Sequence, residues 1–132
     1  MNELLALQRA THLTLHALGR RLAHLDLTAA EINALGALAD GRERTVSELG
    51  AEVGSRPTTL TSVLDRLERR GHLRRGSRPG NRRVVVLSLT GPGRAIAAEV
   101  RQAMTDLETE ALRDLPPATV AAFHAVLGAL AA

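Results

Sequence analysis

TVSELGAEVGSRPTTLTSVLDRLERRGHLRRGSRPGNRRVVVLSLT, residues 45–90, decides the fold. It opens on Thr45-Val46-Ser47-Glu48, a capping box in which hydroxyl and carboxylate satisfy the free amides of a helix start. The short helix that follows runs through Leu49 and Val53 to Gly54, a residue suited to a helix end. Ser55 then offers a cap for a second helix with Pro57 in its first turn. Leu60, Val63, Leu64 and Leu67 give that helix one buried face at i, i+3, i+4 and i+7, and Gly71 closes it. After Leu73 the period changes. Arg74 to Ser77 is short and polar, Arg78-Pro79-Gly80-Asn81 is turn chemistry, and Arg82 to Leu89 is apolar and β-branched, so a β-hairpin with a basic tip is predicted. Two short helices joined at a glycine turn, with a two-stranded ribbon directly behind them, make a winged helix-turn-helix.

Working outward, Thr28-Ala29-Ala30-Glu31 is a second capping box, starting a helix to about Asp40 that Gly41 can end. Before it, Leu4, Leu7, Leu15, Leu18 and Leu22, widened by Leu5 and Leu13, mark one long helix. Behind the hairpin, Thr90 can cap a helix from about Pro92 to Leu115, and Pro116-Pro117 separate it from a last apolar helix. The fold class is therefore mainly α with a small β-wing. At 132 residues the chain is expected to be one domain. With a single aromatic residue, Phe123, its core must be built from Leu, Val, Ile and Ala.

The net charge of +3 is unevenly spread: −1 over residues 1–41, +6 over 42–83 and −2 over 84–132. Eight arginines (66, 69, 70, 74, 75, 78, 82 and 83) fall between Arg66 and Arg83, a density that repels itself unless an anion neutralises it. A turn of 100° per residue sends Thr58, Ser62, Asp65 and Arg69 away from the leucine face, with Thr61 and Arg66 on its flanks. Short hydroxyls leading and arginines following suit a helix that enters the major groove of double-stranded DNA by its N-terminus. A charge run by itself is more often a solvated face. Set on a helix and hairpin that share one side, it points to nucleic acid.

The absence of cysteine excludes disulfides, thiolate metal sites and thiol redox switches. Residues 1–10 carry Glu3 and Arg9 and lack the form of a signal peptide, and no stretch reaches the apolar length of a membrane span, so a cytoplasmic protein without a membrane partner is expected. No nucleophile motif, phosphate loop or convincing carboxylate pair is present, so neither catalysis nor a cofactor is expected. Recognition of single-stranded RNA would want aromatic platforms that this chain lacks. His12 and His16 stand at i and i+4, the spacing of two imidazoles on one metal, but a tetrahedral site needs further ligands, from His24, His124 or an acid. Interfacial polar residues are the plainer reading, and no metal site is assigned.

The chain resembles the MarR family of bacterial transcriptional regulators. The residues that carry the likeness are Thr45-Val46-Ser47-Glu48-Leu49, Ser55-Arg56-Pro57-Thr58-Thr59-Leu60-Thr61, Leu64-Asp65-Arg66-Leu67-Glu68-Arg69-Arg70-Gly71, and Asn81-Arg82-Arg83 leading to Leu89-Thr90. The resemblance implies a homodimer, with dimerisation helices in 1–24 and 92–132 around a DNA-binding lobe at 28–90. It implies a repressor of a pseudo-palindromic operator, released by a small-molecule effector. Val120, Phe123, Val126, Leu127 and Leu130 form a stripe that fits a dimer, although a terminal helix folded back on its own domain would also cover them. The expected DNA-binding residues are Ser55, Arg56, Thr58, Thr59, Thr61, Ser62, Arg66, Arg69, Arg78, Asn81, Arg82 and Arg83. The family wing carries Asp-x-Arg; here Asn81 holds the Asp position and Arg83 the Arg position, which keeps an acceptor but removes a charge. His12 and His16 would line an effector cleft. A winged-helix module that binds protein, and a zinc-responsive regulator using His12 and His16, stand as alternatives.

Overall fold

A computed structural model describes residues 2–132; the first residue of the expected domain, Met1, lies outside them. Six α-helices and a two-stranded antiparallel sheet follow one another as α1 (Glu3–Arg21), α2 (Ala29–Leu38), α3 (Val46–Val53), α4 (Pro57–Arg69), β1 (Leu73–Arg78), β2 (Asn81–Leu89), α5 (Gly91–Ala111) and α6 (Pro117–Leu130), with a 3-10 turn at Ala23–Leu25. Mainly α with a β-wing is thus the observed class.

Both capping boxes form. Thr28 Oγ1 accepts from the Glu31 amide while Glu31 accepts from the Thr28 amide, and Thr45 and Glu48 repeat the arrangement at α3. Gly54 and Gly71, at φ of 72° and 79°, supply the left-handed turns after α3 and α4 that a β-carbon would oppose.

Three boundaries differ from expectation. The second helix stops at Leu38, two residues before Asp40, where the Gly41 amide turns back to the Leu38 carbonyl. Ser55 does not cap α4. Pro57 occupies the first helical position and holds the preceding residue extended, so the cap falls to Arg56, without a side-chain bond, while the Ser55 amide closes α3 on Gly50 O at 2.9 Å. The fifth helix ends at Ala111 instead of Leu115, because Pro116 keeps Leu115 from helical geometry and the turn tightens through Leu115 N to Leu112 O at 3.0 Å.

The core lies where α2, α3, α4 and α5 meet the root of the hairpin. Ile32, Leu35, Leu38, Leu49, Leu60, Leu64, Leu67, Leu87 and Val100 are each at most 1% exposed. In the hairpin Leu73 pairs with Leu89 and Arg75 with Leu87, and a register shift follows Ser77. A buried arginine ties the wing root to the helices. The Arg44 guanidinium meets Asp40 at 2.6 Å and Glu52 at 2.6 Å, and its backbone bridges Leu87. Those two carboxylates raise the Arg44 pKa, and Arg44 in turn holds the Asp40 carboxyl far below its ordinary range.

The two terminal helices are different. No residue of α6 is buried, and Phe123, Val126 and Leu130 are at least half exposed, as are Leu4, Leu5 and Leu13 of α1. The terminal helix does not fold back on its own domain. Instead α1 and α6 leave between them an open apolar groove of about 410 Å³, lined by Leu4, Leu7, Phe123, Val126, Leu127 and Leu130. Among the described residues no helix is long and apolar enough to cross a membrane.

The start of α5 is pinned to the end of α4. Thr90 Oγ1 donates to Gly71 O at 2.6 Å, the Thr90 amide to His72 O at 3.1 Å, and a β-carbon on Gly93 would sit 1.9 Å from that His72 oxygen. Backbone cannot yield there as a side chain could. Gly93→Ala should therefore lower stability by about 1–3 kcal/mol, the usual cost of overpacking. Gly91→Ala, whose new carbon would have only the Arg94 side chain 3.8 Å away, should cost almost nothing. Equal urea midpoints for the two variants would contradict this packing.

Candidate nucleic-acid interface

Three leucines decide what α4 presents. With Leu60, Leu64 and Leu67 buried and Val63 half-buried, Thr58, Thr59, Thr61, Ser62 and Arg69 are exposed, as the helical period requires. Their hydroxyls are not equivalent. Thr61 donates to Pro57 O at 3.0 Å and Ser62 to Thr59 O at 3.4 Å, which leaves both oxygens as acceptors for a base amino group. Arg56 stands exposed at the start of α4, beside amides that the helix itself does not use and that attract a phosphate.

The arginines divide into two sets. Arg75 shares the inward face of β1 with Leu73, since alternate strand residues point the same way, and meets Asp65 of α4 at 2.7 Å. Arg78 reaches the capping carboxylate of Glu48 at 3.4 Å. Bonds from the Thr45 amide and hydroxyl, with the Arg78 charge behind them, hold that carboxyl below its usual pKa. Arg66 and Arg70 turn back toward α2: Arg66 lies 3.3 Å from Glu31, and Arg70 donates to the carbonyls of Leu25 and Asp26 at 2.8 Å each. Among the described residues, Arg69, Arg74, Arg82 and Arg83 have no such partner and are exposed.

Angular position on α4 places Arg66 on a flank; the structure shows what a long side chain does from there, folding onto a buried acid. The inward pull of Glu31 was not read from the sequence, where its capping-box role already accounted for it. Arg74, exposed on the outward face of β1, was likewise absent from the expected set, although strand alternation marks it.

The wing tip is organised by Asn81, whose Oδ1 accepts the Arg83 amide at 3.1 Å, an Asx turn that fixes the backbone carrying the arginine. Here the amide oxygen does what a carboxylate could do for the backbone, without the charge.

His12 and His16 lie on α1 along an open cleft of about 520 Å³ with Leu15, Gly19, Arg20, Ala23 and Ala29. His24 bonds Glu99 at 2.8 Å. Among the described residues no group of three or more His, Asp or Glu side chains is arranged to hold a metal ion.

Comparison with known proteins agrees with this geometry. The model of the MarR family matches residues 25–84. The chain is 34% identical over 95 residues to the HTH-type transcriptional regulator TtmR of Methylorubrum extorquens strain PA1, a match covering 69% of this chain and 49% of that protein, so the chain spans about half the length of this relative. Among solved structures, the transcriptional repressor CouR bound to a 23-mer DNA duplex superposes with a TM-score of 0.78 at 27% identity, over 96% of this chain and 90% of that one. Bordetella bronchiseptica BpsR, whose DNA binding is regulated by 6-hydroxynicotinic acid, superposes with a TM-score of 0.78 at 26% identity, over 95% and 89%.

The wing geometry has its own test. Asn81→Ala should speed hydrogen exchange at the Arg83 amide by about 3–10-fold, the loss of one hydrogen bond of about 1 kcal/mol, whereas Asn81→Asp should keep the protection. Unchanged exchange in the alanine variant would remove Asn81 from the wing's structure.

Proposed function

Because the chain belongs to the MarR family of winged helix-turn-helix transcriptional regulators, we propose that it is a homodimeric repressor that reads a pseudo-palindromic site in double-stranded DNA. The observation that carries this reading is the exposure, on α4 and on the wing, of short hydroxyls together with four arginines that have no acidic partner among the described residues. Thr58, Thr59, Thr61 and Ser62 read base edges in the major groove, with Ser55 and Arg56 at the entering end. Arg69 binds phosphate or guanine. Arg82 and Arg83 on the wing contact the backbone and minor groove, with Asn81 orienting Arg83. Arg78 joins them on release from Glu48. Arg66 supports α4 from behind in the free protein, and reads bases only if DNA draws it off Glu31.

The apolar faces of α1 and α6 belong to the dimer. Half-exposed Phe123, Val126, Leu130, Leu4 and Leu5 form a patch that a monomer rarely leaves in water, and a second copy covers it with the same residues. Residues 1–24 and 92–132 thus serve as dimerisation helices around the DNA-binding lobe at 28–90. An effector is a small organic acid of the kind BpsR answers to, held in the cleft of His12 and His16, where Arg20 offers a cation. The site of action is cytoplasmic.

Gel shifts against genomic duplex fragments test the function: selective retention of a few fragments is expected, and uniform or absent retention refutes it. On a retained fragment, Arg83→Ala should weaken binding and flatten the dependence of log K on log salt by about 0.9, the contribution of one phosphate contact. An unchanged slope would take Arg83 off the backbone. Phe123→Asp should convert a sedimenting dimer to monomer and abolish retention, and a dimer that survives it would place the interface elsewhere.

A further inference from the structure

Glu31 is the one buried acid among the described residues, 1% exposed, and its carboxylate faces Arg66 of α4. One of its oxygens is already committed to its own helix, accepting the Thr28 amide at 2.9 Å, and lies 3.3 Å from Arg66. The other has no hydrogen-bond partner and faces the Arg70 guanidinium at 3.9 Å. A carboxylate stripped of water is stable only beside compensating charge, so the two arginines are held as firmly as the acid is buried.

Arg66, in the last turn of α4, and Arg70, which caps that helix, are four residues apart, and both also reach the turn before α2. Arg66 donates to Asp26 O at 3.3 Å, and Arg70 bonds Asp26 O and Leu25 O. Asp26 itself has a left-handed backbone, φ 51°, which aims its carbonyl at α4. Burial and the nearby Arg70 charge push the pKa of the neighbouring His72 imidazole down, against the opposing pull of Glu31.

We propose that Glu31 is a specificity-determining residue that never touches DNA: by holding Arg66 and Arg70 it fixes the roll of α4 and keeps two cations from binding phosphates indiscriminately. Leucines alone set the face of a helix to within its packing tolerance. Two guanidiniums set beside a buried acid, at 3.3 and 3.9 Å, and bonded to the Leu25 and Asp26 carbonyls add a polar constraint on rotation, and they withdraw positive charge from the surface whose attraction to DNA carries no sequence information. The same segment borders the His12–His16 cleft through Ala23 and Ala29.

This inference rests on the DNA-binding reading, and its test separates the two. Glu31→Gln keeps the acceptor for the Thr28 amide and the side-chain volume but removes the charge. Affinities of wild type and variant are measured by fluorescence anisotropy for a selected duplex and for a scrambled duplex of equal length, with urea midpoints recorded alongside. The ratio of specific to non-specific affinity should fall about tenfold, on the scale of a single mismatched base pair. Scrambled-duplex affinity should hold or rise, and its salt slope should steepen by about 0.9 for each phosphate newly bound. Arg70→Gln, should Glu31→Gln unfold, must lower the same ratio without raising scrambled-duplex affinity. An unchanged ratio in a folded variant overturns the proposal, as does a parallel fall on both duplexes, which is what lost stability alone produces. A wild-type chain that binds both duplexes equally would overturn the functional reading, and this one with it.

Discussion

The rotation of α4 about its own axis is the constraint on which the rest depends. Leu60, Leu64 and Leu67 are all but inaccessible to water, and burying them fixes which side of the helix remains for anything else. On the free side stand hydroxyls and Arg69; on one flank, Arg66 and Arg70 close over Glu31. The wing is then tied to that helix through Arg75 and Asp65 and to α3 through Arg78 and Glu48, and its root is fixed by Arg44 between Asp40 and Glu52. Two separate elements are thus held as one body, as the proposed reading of base edges requires.

Arginine count is a poor guide to that surface. Of the eight arginines between Arg66 and Arg83, four are engaged with the protein's own acids. Internal pairing commits half of that charge to geometry and leaves the remaining arginines exposed, without an acidic partner among the described residues. Exposed ion pairs such as Arg78 with Glu48 contribute little to stability, so a phosphate can replace the carboxylate at small cost. The cluster at Glu31 differs because its acid is buried, and releasing either arginine would leave that charge with only the other beside it.

Local chemistry made most of the fold legible in the sequence. Two capping boxes marked the starts of α2 and α3, glycines marked the ends of α3 and α4, and the change from helical to alternating period marked the wing. What escaped has physical reasons. The cap of α4 was placed at Ser55 because serine is a good cap, but Pro57 sets the first helical position one residue later than that assignment requires. The end of α5 was drawn too far because a proline acts on the residue before it as well as on its own. The inward fold of Arg66 depends on a partner 35 positions away, and a helical wheel shows where a β-carbon points without showing where a guanidinium ends. The helices proposed for the dimer are legible only as excess: α6 is apolar along its length, and none of its residues is buried among the described residues.

The reading of this surface as a dimeric reader of duplex DNA is most directly tested by selecting bound duplexes from a random pool and aligning their sequences. An inverted repeat with half-site centres about one helical turn apart, roughly 34–36 Å, is the expected outcome, since two recognition helices related by a two-fold axis must enter successive major grooves. Recovery of sequences with no common motif, or of a single unrepeated half-site, would contradict it.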